Sequence, residues 1–207
     1  MKLTIEGRAL SSLTVGRSSR AAYVDVGFND FGLAGSSIRG AMRSAISWAI
    51  SNGLVQGYNS CGEIEPQRIE LAHKDMTGKG LRCDVCEVFG YPNHEGLIRV
   101  GAAEIADNRK WVLTRVSIDD RTLKAREGFL FKQEVLPPLT GFKFEVELPS
   151  SMDCGLVRLV LLSVYYLRLW RIGMGGMVDL RLSSAQGIPC EAELQDVLKQ
   201  LGDWLWQ

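Results

Sequence analysis

The sequence predicts an α+β protein whose elements follow the order β-α-β-β-α-β. Hydrophobic residues alternate over three short segments, as in half-buried strands, and two longer segments are apolar at helical spacing. A fourth short strand follows a cluster of glycines. The strands are Lys2–Leu10, Trp111–Ile118, Phe142–Leu148 and Met177–Leu182, and the helices are Ser37–Ser51 and Gly155–Trp170. This is the order of the ferredoxin-like, or RNA-recognition-motif-like, fold.

The helices differ in how much of their surface is apolar. The first has one apolar face, whereas Gly155–Trp170 is apolar nearly all round, which predicts a buried core helix ending before Gly173–Gly176. A terminal helix over Ala192–Trp206 is expected to bury Leu194, Val197, Leu198, Leu201 and Trp204. Residues 53–107 are predicted to be an insertion into the single domain, 1–207.

The length and composition favour a stably folded domain without membrane segments. The 207 residues are 46% hydrophobic and include 22 glycines, enough for one sizeable α/β domain with insertions or for two small ones. The longest apolar segment, Leu156–Trp170, contains Arg158 and Arg168 and is too short to span a bilayer. Since no signal peptide is recognisable, we expect a cytoplasmic protein that does not contact a membrane.

The net charge is zero, which argues against a nucleic-acid binder, but the positive charge is concentrated in three segments. Basic residues outnumber acidic ones six to three in residues 1–58, six to three in residues 108–128, and four to one in residues 158–181. Residues 59–107 and the tail from residue 182 are acidic. If the basic segments meet in the fold they form a basic groove; the alternative is charge scattered for solubility.

The turn Gly35–Gly40 opens the first helix and is typical of a phosphate-binding site. Ser36 or Ser37 can cap the helix, the N–H groups of its first turn point outward, and Arg39 and Arg43 lie one turn apart. These features predict contact with the backbone of an RNA or a nucleotide. The alternative is an ordinary helix with a serine cap and exposed arginines.

A C-x-x-C pair, Cys83 and Cys86, predicts a structural zinc site. Two further ligands are needed, and Cys61 and His73 are the nearest; His94 or a water could replace Cys61. Four protein ligands would stabilise the insertion and leave no open position for catalysis. A redox pair is disfavoured because no thioredoxin-like unit is recognisable, and ordinary reduced thiols are the remaining alternative. Cys154 and Cys190 lie far away in apolar surroundings.

Six motifs occur in an order that resembles the RAMP superfamily. The match is closest to the repeating backbone subunits of type III CRISPR effector complexes and covers about residues 1–185. The motifs are Gly35–Arg43, Cys83–Gly90, Arg115–Thr122, Gly128–Pro137, Phe142 and Gly173–Gly176.

The resemblance implies a subunit that polymerises along a CRISPR guide RNA and positions complementary target RNA. Its partners would be the guide, the target, further copies of itself and other CRISPR effector subunits. A thumb-like hairpin within residues 115–140 would kink the guide, with Phe129 or Phe131 in the core or stacked at the kink. The RNA-binding candidates are Arg17, Arg20, Ser36, Ser37, Arg39, Arg43, Arg115, Arg121, Lys124, Arg126, Arg171, Gly173, Gly175 and Gly176.

The glycine cluster would let the backbone approach the RNA closely, although a helix C-cap followed by a tight turn is an alternative explanation. We expect Phe129 and Phe131 to be buried.

The resemblance also bears on catalysis. Catalytic members of the family carry an aspartate in the loop before the first helix, and the matching stretch here, Arg17–Arg20, has no carboxylate. We therefore expect an RNA-binding scaffold without nuclease activity, as in type III-D relatives with inactive copies or in type VII systems that recruit a separate metallo-β-lactamase-fold nuclease. The alternatives are metal-dependent cleavage of target RNA through Asp25 or Asp30, or a stand-alone RNA-processing endonuclease.

Overall fold

Five strands form the central antiparallel sheet. The computed structural model describes residues 1–16, 23–30, 32–107, 109–188 and 190–206. The strand order is β2-β6-β1-β7, and β3 also pairs with β6. Their bounds are Lys2–Ala9 for β1, Arg99–Val100 for β2, Glu104–Ile105 for β3, Gly141–Glu147 for β6 and Val178–Gln186 for β7. Strand β1 lies between β6 and β7 and buries every second residue, so one of its faces belongs to the core.

Helices α1 and α4 pack against each other, and α5 packs on α4 and β7. Their apolar stripes meet the buried residues of β1 in one continuous hydrophobic core. The helices are α1, Gly35–Ser51; α2, Pro66–Gly78; α3, Asp84–Phe89; α4, Cys154–Leu167; and α5, Glu191–Gly202. Helix α4 is buried along most of its length, which confirms the prediction made from its apolar composition. None of the helices in the described ranges is both long and apolar enough to cross a membrane.

The segment Trp111–Ile118 is a strand, β4, but its predicted place in the central sheet is wrong. It pairs with β5, Ala125–Val135, in a separate two-stranded hairpin. The position expected for it is taken by β2 and β3, which come from the predicted insertion. The carboxylate of Asp119 accepts hydrogen bonds from the backbone N–H groups of Arg121 and Thr122, both at 3.0 Å. These bonds stabilise the turn that joins β4 to β5.

The C-terminal segment is held against the sheet by a buried carboxylate. Asp179 is fully buried and accepts hydrogen bonds from the backbone N–H groups of Leu205 and Trp206, at 3.2 and 3.0 Å, and from the guanidinium of Arg8, at 3.2 Å. The predicted terminal helix is shorter than expected, because it ends at Gly202. Trp204 lies beyond it, and the guanidinium groups of Arg8 and Arg181 both contact its ring.

A disulfide joins Cys154 to Cys190, 36 residues apart in the sequence. Cys154 is the first residue of α4 and Cys190 immediately precedes α5. The bond therefore links the starts of two packed helices.

Candidate metal centre and RNA-binding surface

Four side chains of the 53–107 segment form a metal-binding cluster. The ligand atoms of Cys61, His73, Cys83 and Cys86 all lie within 4.8 Å of one another. Cys83 is the N-cap of α3 and Cys86 lies in its first turn, so the C-x-x-C spacing turns both sulfurs to one side. Backbone N–H groups of Cys61 and Cys86 donate to the Cys83 sulfur, at 3.2 and 3.4 Å.

The chemistry of this cluster fits a metal such as zinc. Three sulfurs and one imidazole are a common tetrahedral zinc set. The Nε2 atom of His73 is buried and has no hydrogen-bond partner within the described part of the chain, which a metal bond would satisfy. Hydrogen bonds with Cys83 and Cys86 lower the pKa of the Cys61 thiol, and hydrogen bonds with Cys61 and Cys83 raise the pKa of Cys86. A bound metal would favour the thiolate form of the cysteines, because thiolates are the groups that bind it.

His94, the alternative fourth ligand, lies outside the cluster and is exposed. Its ring stacks on Tyr91, with centroids 4.9 Å apart, and Tyr91 in turn meets the His73 ring edge-on at 4.5 Å. The cluster that could hold a metal therefore contains Cys61 and not His94.

Arg43 is half-buried and contacts the metal cluster. Its Nη2 atom lies 3.2 Å from the Cys86 sulfur and 3.4 Å from the carbonyl oxygen of Glu63. A guanidinium at this distance would stabilise the Cys86 sulfur as a thiolate when a metal is bound, so Arg43 is placed to support the cluster. The sequence predicts that Arg39 and Arg43 lie on one exposed face of the helix. Both residues are half-buried, so that prediction is wrong, and the contact with Cys86 belongs to Arg43.

Helix α1 begins differently from the prediction. Its N-cap is Ala34, no side chain caps it, and Ser36 and Ser37 lie inside the first turn, so the predicted serine cap is wrong. The close approach of Gly35 to β2 explains the shift, because a Cβ on Gly35 would lie 2.0 Å from the carbonyl oxygen of Val100. The helix can therefore begin against the sheet only with glycine there.

A cavity of about 300 Å³ lies beside this helix. Its lining residues come from two elements: α1 supplies Ser36, Arg39, Gly40 and Arg43, and the segment that ends α3 supplies Phe89, Gly90, Tyr91, His94, Glu95 and Gly96. The predicted phosphate-binding residues of the helix thus meet the metal-binding segment, a neighbour that the sequence analysis did not identify.

The glycine cluster Gly173–Gly176 forms a tight turn against the segment that follows β1. Gly173 has a φ of +58°, and a Cβ there would lie 2.0 Å from the carbonyl oxygen of Thr14. Backbone bonds of 2.8 and 3.0 Å join Ile172 to Gly176 across the turn. Helix α4 has already ended at Leu167, so these glycines form the tight turn of the alternative explanation but do not cap the helix. Gly173 and Gly175 are exposed, as is Arg171, whereas Gly176 is buried.

The glycine turn, the segment after β1 and the base of the hairpin meet. Met174 donates its N–H to the carbonyl of Thr14 at 2.9 Å, and its sulfur lies 3.7 Å from the side-chain nitrogen of Gln133 in β5. The Thr14 hydroxyl donates to the carbonyl of Glu134 at 2.7 Å. Parts of the N-terminal segment, the base of the hairpin and the glycine turn are therefore packed together, through residues that are not themselves basic.

The hairpin β4–β5 carries exposed basic and apolar side chains. Arg115, Arg121 and Lys124 are exposed, and Arg126 lies 3.6 Å from Asp119 and over the ring of Phe129. Phe129 is 55% exposed and Phe131 is half-buried. The expectation that both aromatic residues are buried is therefore wrong, because they lie on a stretch of β5 whose residues are mostly exposed.

The two candidate catalytic aspartates lie near the base of the hairpin or in the loop before α1. The Asp25 carboxylate accepts the backbone N–H of Lys132 at 2.8 Å, and the Asp25 N–H donates to the carbonyl of Lys132 at 3.0 Å. Asp30 is exposed. Arg17 and Arg20, predicted to bind RNA, lie outside the described residues.

Sequence reasoning missed Glu134 as an organiser of this region. Its buried carboxylate accepts the Tyr23 hydroxyl at 2.8 Å and the Phe28 N–H at 2.9 Å, which attaches the loop before α1 to the hairpin. The only sign of this role in the sequence is that Glu134 is the one acidic residue within the strand segment Phe131–Val135.

The fold and site define an α+β protein with an antiparallel sheet, a Cys₃His cluster and a basic hairpin. The family profile of the RAMP superfamily matches residues 9–176, most of the chain, and the chain belongs to that superfamily. It is a CRISPR RAMP protein, and the superfamily is one of CRISPR RNA-binding proteins with a ferredoxin-like fold. A comparison with curated proteins found no significant match.

Proposed function

We propose that the protein is a backbone subunit of a type III-like CRISPR effector, one that holds guide RNA and positions complementary target RNA. The observation that carries this proposal is the β4–β5 hairpin. Leu123 at its tip is 80% exposed and Leu130 is 66% exposed, and four basic residues accompany them. A long hairpin with uncovered apolar and basic side chains suits a segment that is completed by RNA and by a neighbouring copy.

The RNA backbone would cross two surfaces of the subunit. One is the start of α1, where Ser36 and Arg39 face the cavity. The other is the exposed glycine turn at Gly173 and Gly175, whose backbone lacks side chains that would keep a phosphate away. Both contact phosphates rather than base edges, so the subunit would accept any guide sequence.

The subunit would lack nuclease activity of its own. The Asp25 carboxylate is bonded to the backbone of β5, which supports a structural role for it. Cleavage would then belong to another subunit or to a recruited nuclease, as in type III-D or type VII systems. The 53–107 segment would be a structural zinc module, and residues 115–140 would be the thumb.

The test is co-expression of the chain with its genomic neighbours and a guide array. We expect a large particle whose ultraviolet absorbance ratio shows bound RNA, and which binds complementary RNA but does not cut it at regular intervals in Mg²⁺ or Mn²⁺. If the particle cuts the RNA into a regular ladder of fragments, and replacing Asp25 or Asp30 abolishes this cleavage, the subunit is catalytic. A monomer free of RNA that cuts a repeat hairpin would favour a processing endonuclease instead.

Arg39→Ala tests the contribution of helix α1. It should weaken RNA binding and flatten the dependence of affinity on salt, because one phosphate contact is lost. Arg68→Ala is the matched control, since Arg68 is an exposed arginine on α2 paired with Glu65 at 3.1 Å. Equal binding by the two variants would contradict the assignment of Arg39.

A further inference from the structure

The turn Tyr91–His94 carries two stacked aromatic rings that line the cavity beside α1. The N–H of Tyr91 donates to the carbonyl of His94 at 3.1 Å, and the N–H of His94 donates back at 2.9 Å. Pro92 suits the first central position of such a turn, and Asn93 adopts a φ of +65° at the second. The turn brings the two residues side by side, and the planes of their rings lie within 25° of parallel.

Glycines on both sides hold this turn against α3. A Cβ on Gly90 would lie 2.7 Å from the backbone nitrogen of Gly96, and a Cβ on Gly96 would lie 2.5 Å from the carbonyl carbon of Phe89. The two chain segments are in direct backbone contact, so the turn has little freedom to move. The aromatic pair is consequently preformed, which lowers the entropy cost of binding a planar ligand.

The outer face of the pair belongs to His94. Tyr91 is half-buried and lies between the two histidines, with its ring against the edge of His73. His94 is exposed, and the rings lie in the order His73, Tyr91, His94. A metal bound by His73 would fix the ring on which Tyr91 rests.

Cationic groups also line the cavity. Arg39 and Arg43 of α1 line it together with Tyr91 and His94. Glu95 is the acidic residue of the lining, and its carboxylate lies 3.8 Å from the guanidinium of Arg99. A flat aromatic face next to arginines can bind both parts of a nucleotide: the planar base stacks on the ring, and the charged phosphate pairs with an arginine.

We propose that the Tyr91–His94 pair is a stacking platform for one nucleobase of single-stranded RNA, with the neighbouring phosphate at Arg39. The proposal rests on the proposed function for the presence of an RNA strand along α1. It adds a base contact to a surface otherwise assigned to phosphates. Stacking accepts any base, so the contact would not make the subunit sequence-specific.

The test compares three His94 and Arg39 variants of the full chain on a short fluorescent single-stranded RNA and on its abasic equivalent. His94→Ala should weaken binding of the base-containing strand roughly tenfold and leave the abasic strand unchanged, because only stacking is lost. His94→Phe keeps an aromatic face and should bind like the parent. Arg39→Ala should weaken the binding of both strands, and the effect should be larger at low salt.

A second readout uses 2-aminopurine in the same strand. Stacking on His94 should quench its fluorescence on binding to the parent and to His94→Phe, but not to His94→Ala. Suppose that RNA binding depends on Arg39 but His94→Ala binds both strands as the parent does. That result would overturn the stacking platform and leave the proposed function standing. Failure of the parent chain to bind either strand would overturn the proposed function as well.

Discussion

Replacement of Asp179 by asparagine should unfold the protein at markedly lower denaturant concentration. The carboxylate is fully buried and accepts four N–H groups: those of Leu180 and Leu205 on Oδ1, and those of Trp206 and Arg8 on Oδ2. An asparagine presents an oxygen to one pair of donors and an NH₂ group to the other. Two donors would then face a donor, and the negative charge would be gone.

The magnitude follows from the charges left behind. Arg168 is 1% exposed, and its Nε atom lies 3.9 Å from Asp179 and has no hydrogen-bond partner in the described ranges. Removing one partner of a buried ion pair costs about 3–5 kcal/mol. For a domain of this size each kcal/mol lowers the melting temperature by about 2–4 °C, so a decrease of roughly 10 °C is expected.

The assay is urea unfolding followed by circular dichroism, with Asp196→Asn as the matched control. Asp196 makes the same kind of pair with Arg158, but its side chain is 54% exposed, so its loss should cost less than about 1 kcal/mol. A free energy of unfolding for Asp179→Asn within 1 kcal/mol of the parent would refute the reasoning. Equal losses for both variants would refute it too.

Three further outcomes are expected. Gly173→Ala should lower the melting temperature more than Gly175→Ala, because both have positive φ but only Gly173 also lies against the Thr14 carbonyl; equal effects in thermal unfolding would contradict this. Replacing Cys83 and Cys86 together by serine should abolish binding of about one zinc per chain and lower the melting temperature, as measured by elemental analysis and calorimetry. Zinc should also leave the parent protein as the pH falls from 7 toward 4, since protons compete for the thiolates and the imidazole; retention at pH 4 in a chelator would be inconsistent with this site.

Features set by local pattern could be predicted from the sequence. An apolar composition all round predicted the buried helix α4, and the C-x-x-C spacing with Cys61 and His73 predicted the cluster. In both cases the information lies in side-chain chemistry and in short spacings. Family motifs added the RAMP assignment, which now rests on a match over residues 9–176.

Features set by long-range packing could not be predicted from the sequence. The alternation of hydrophobic residues in Trp111–Ile118 predicts a strand but does not identify the strand it pairs with. This strand pairs with β5 across the short turn at Asp119 and does not join the central sheet. The serine cap failed because the approach of Gly35 to Val100 starts α1 earlier. The pairing of Cys154 with Cys190 depends on how α4 and α5 pack, which cysteine spacing does not give.

The hairpin β4–β5 has a gradient of burial along its length. Gln133, Glu134 and Val135 at its base are buried, whereas residues 120–130 are exposed throughout. Backbone amides near the tip should therefore exchange with solvent deuterium through local opening, long before those at the base. If RNA or a neighbouring copy covers the tip, as the proposed function requires, that opening would be suppressed. The exchange rate of the tip amides would then measure the fraction of subunits that are assembled, without a tag attached to the protein.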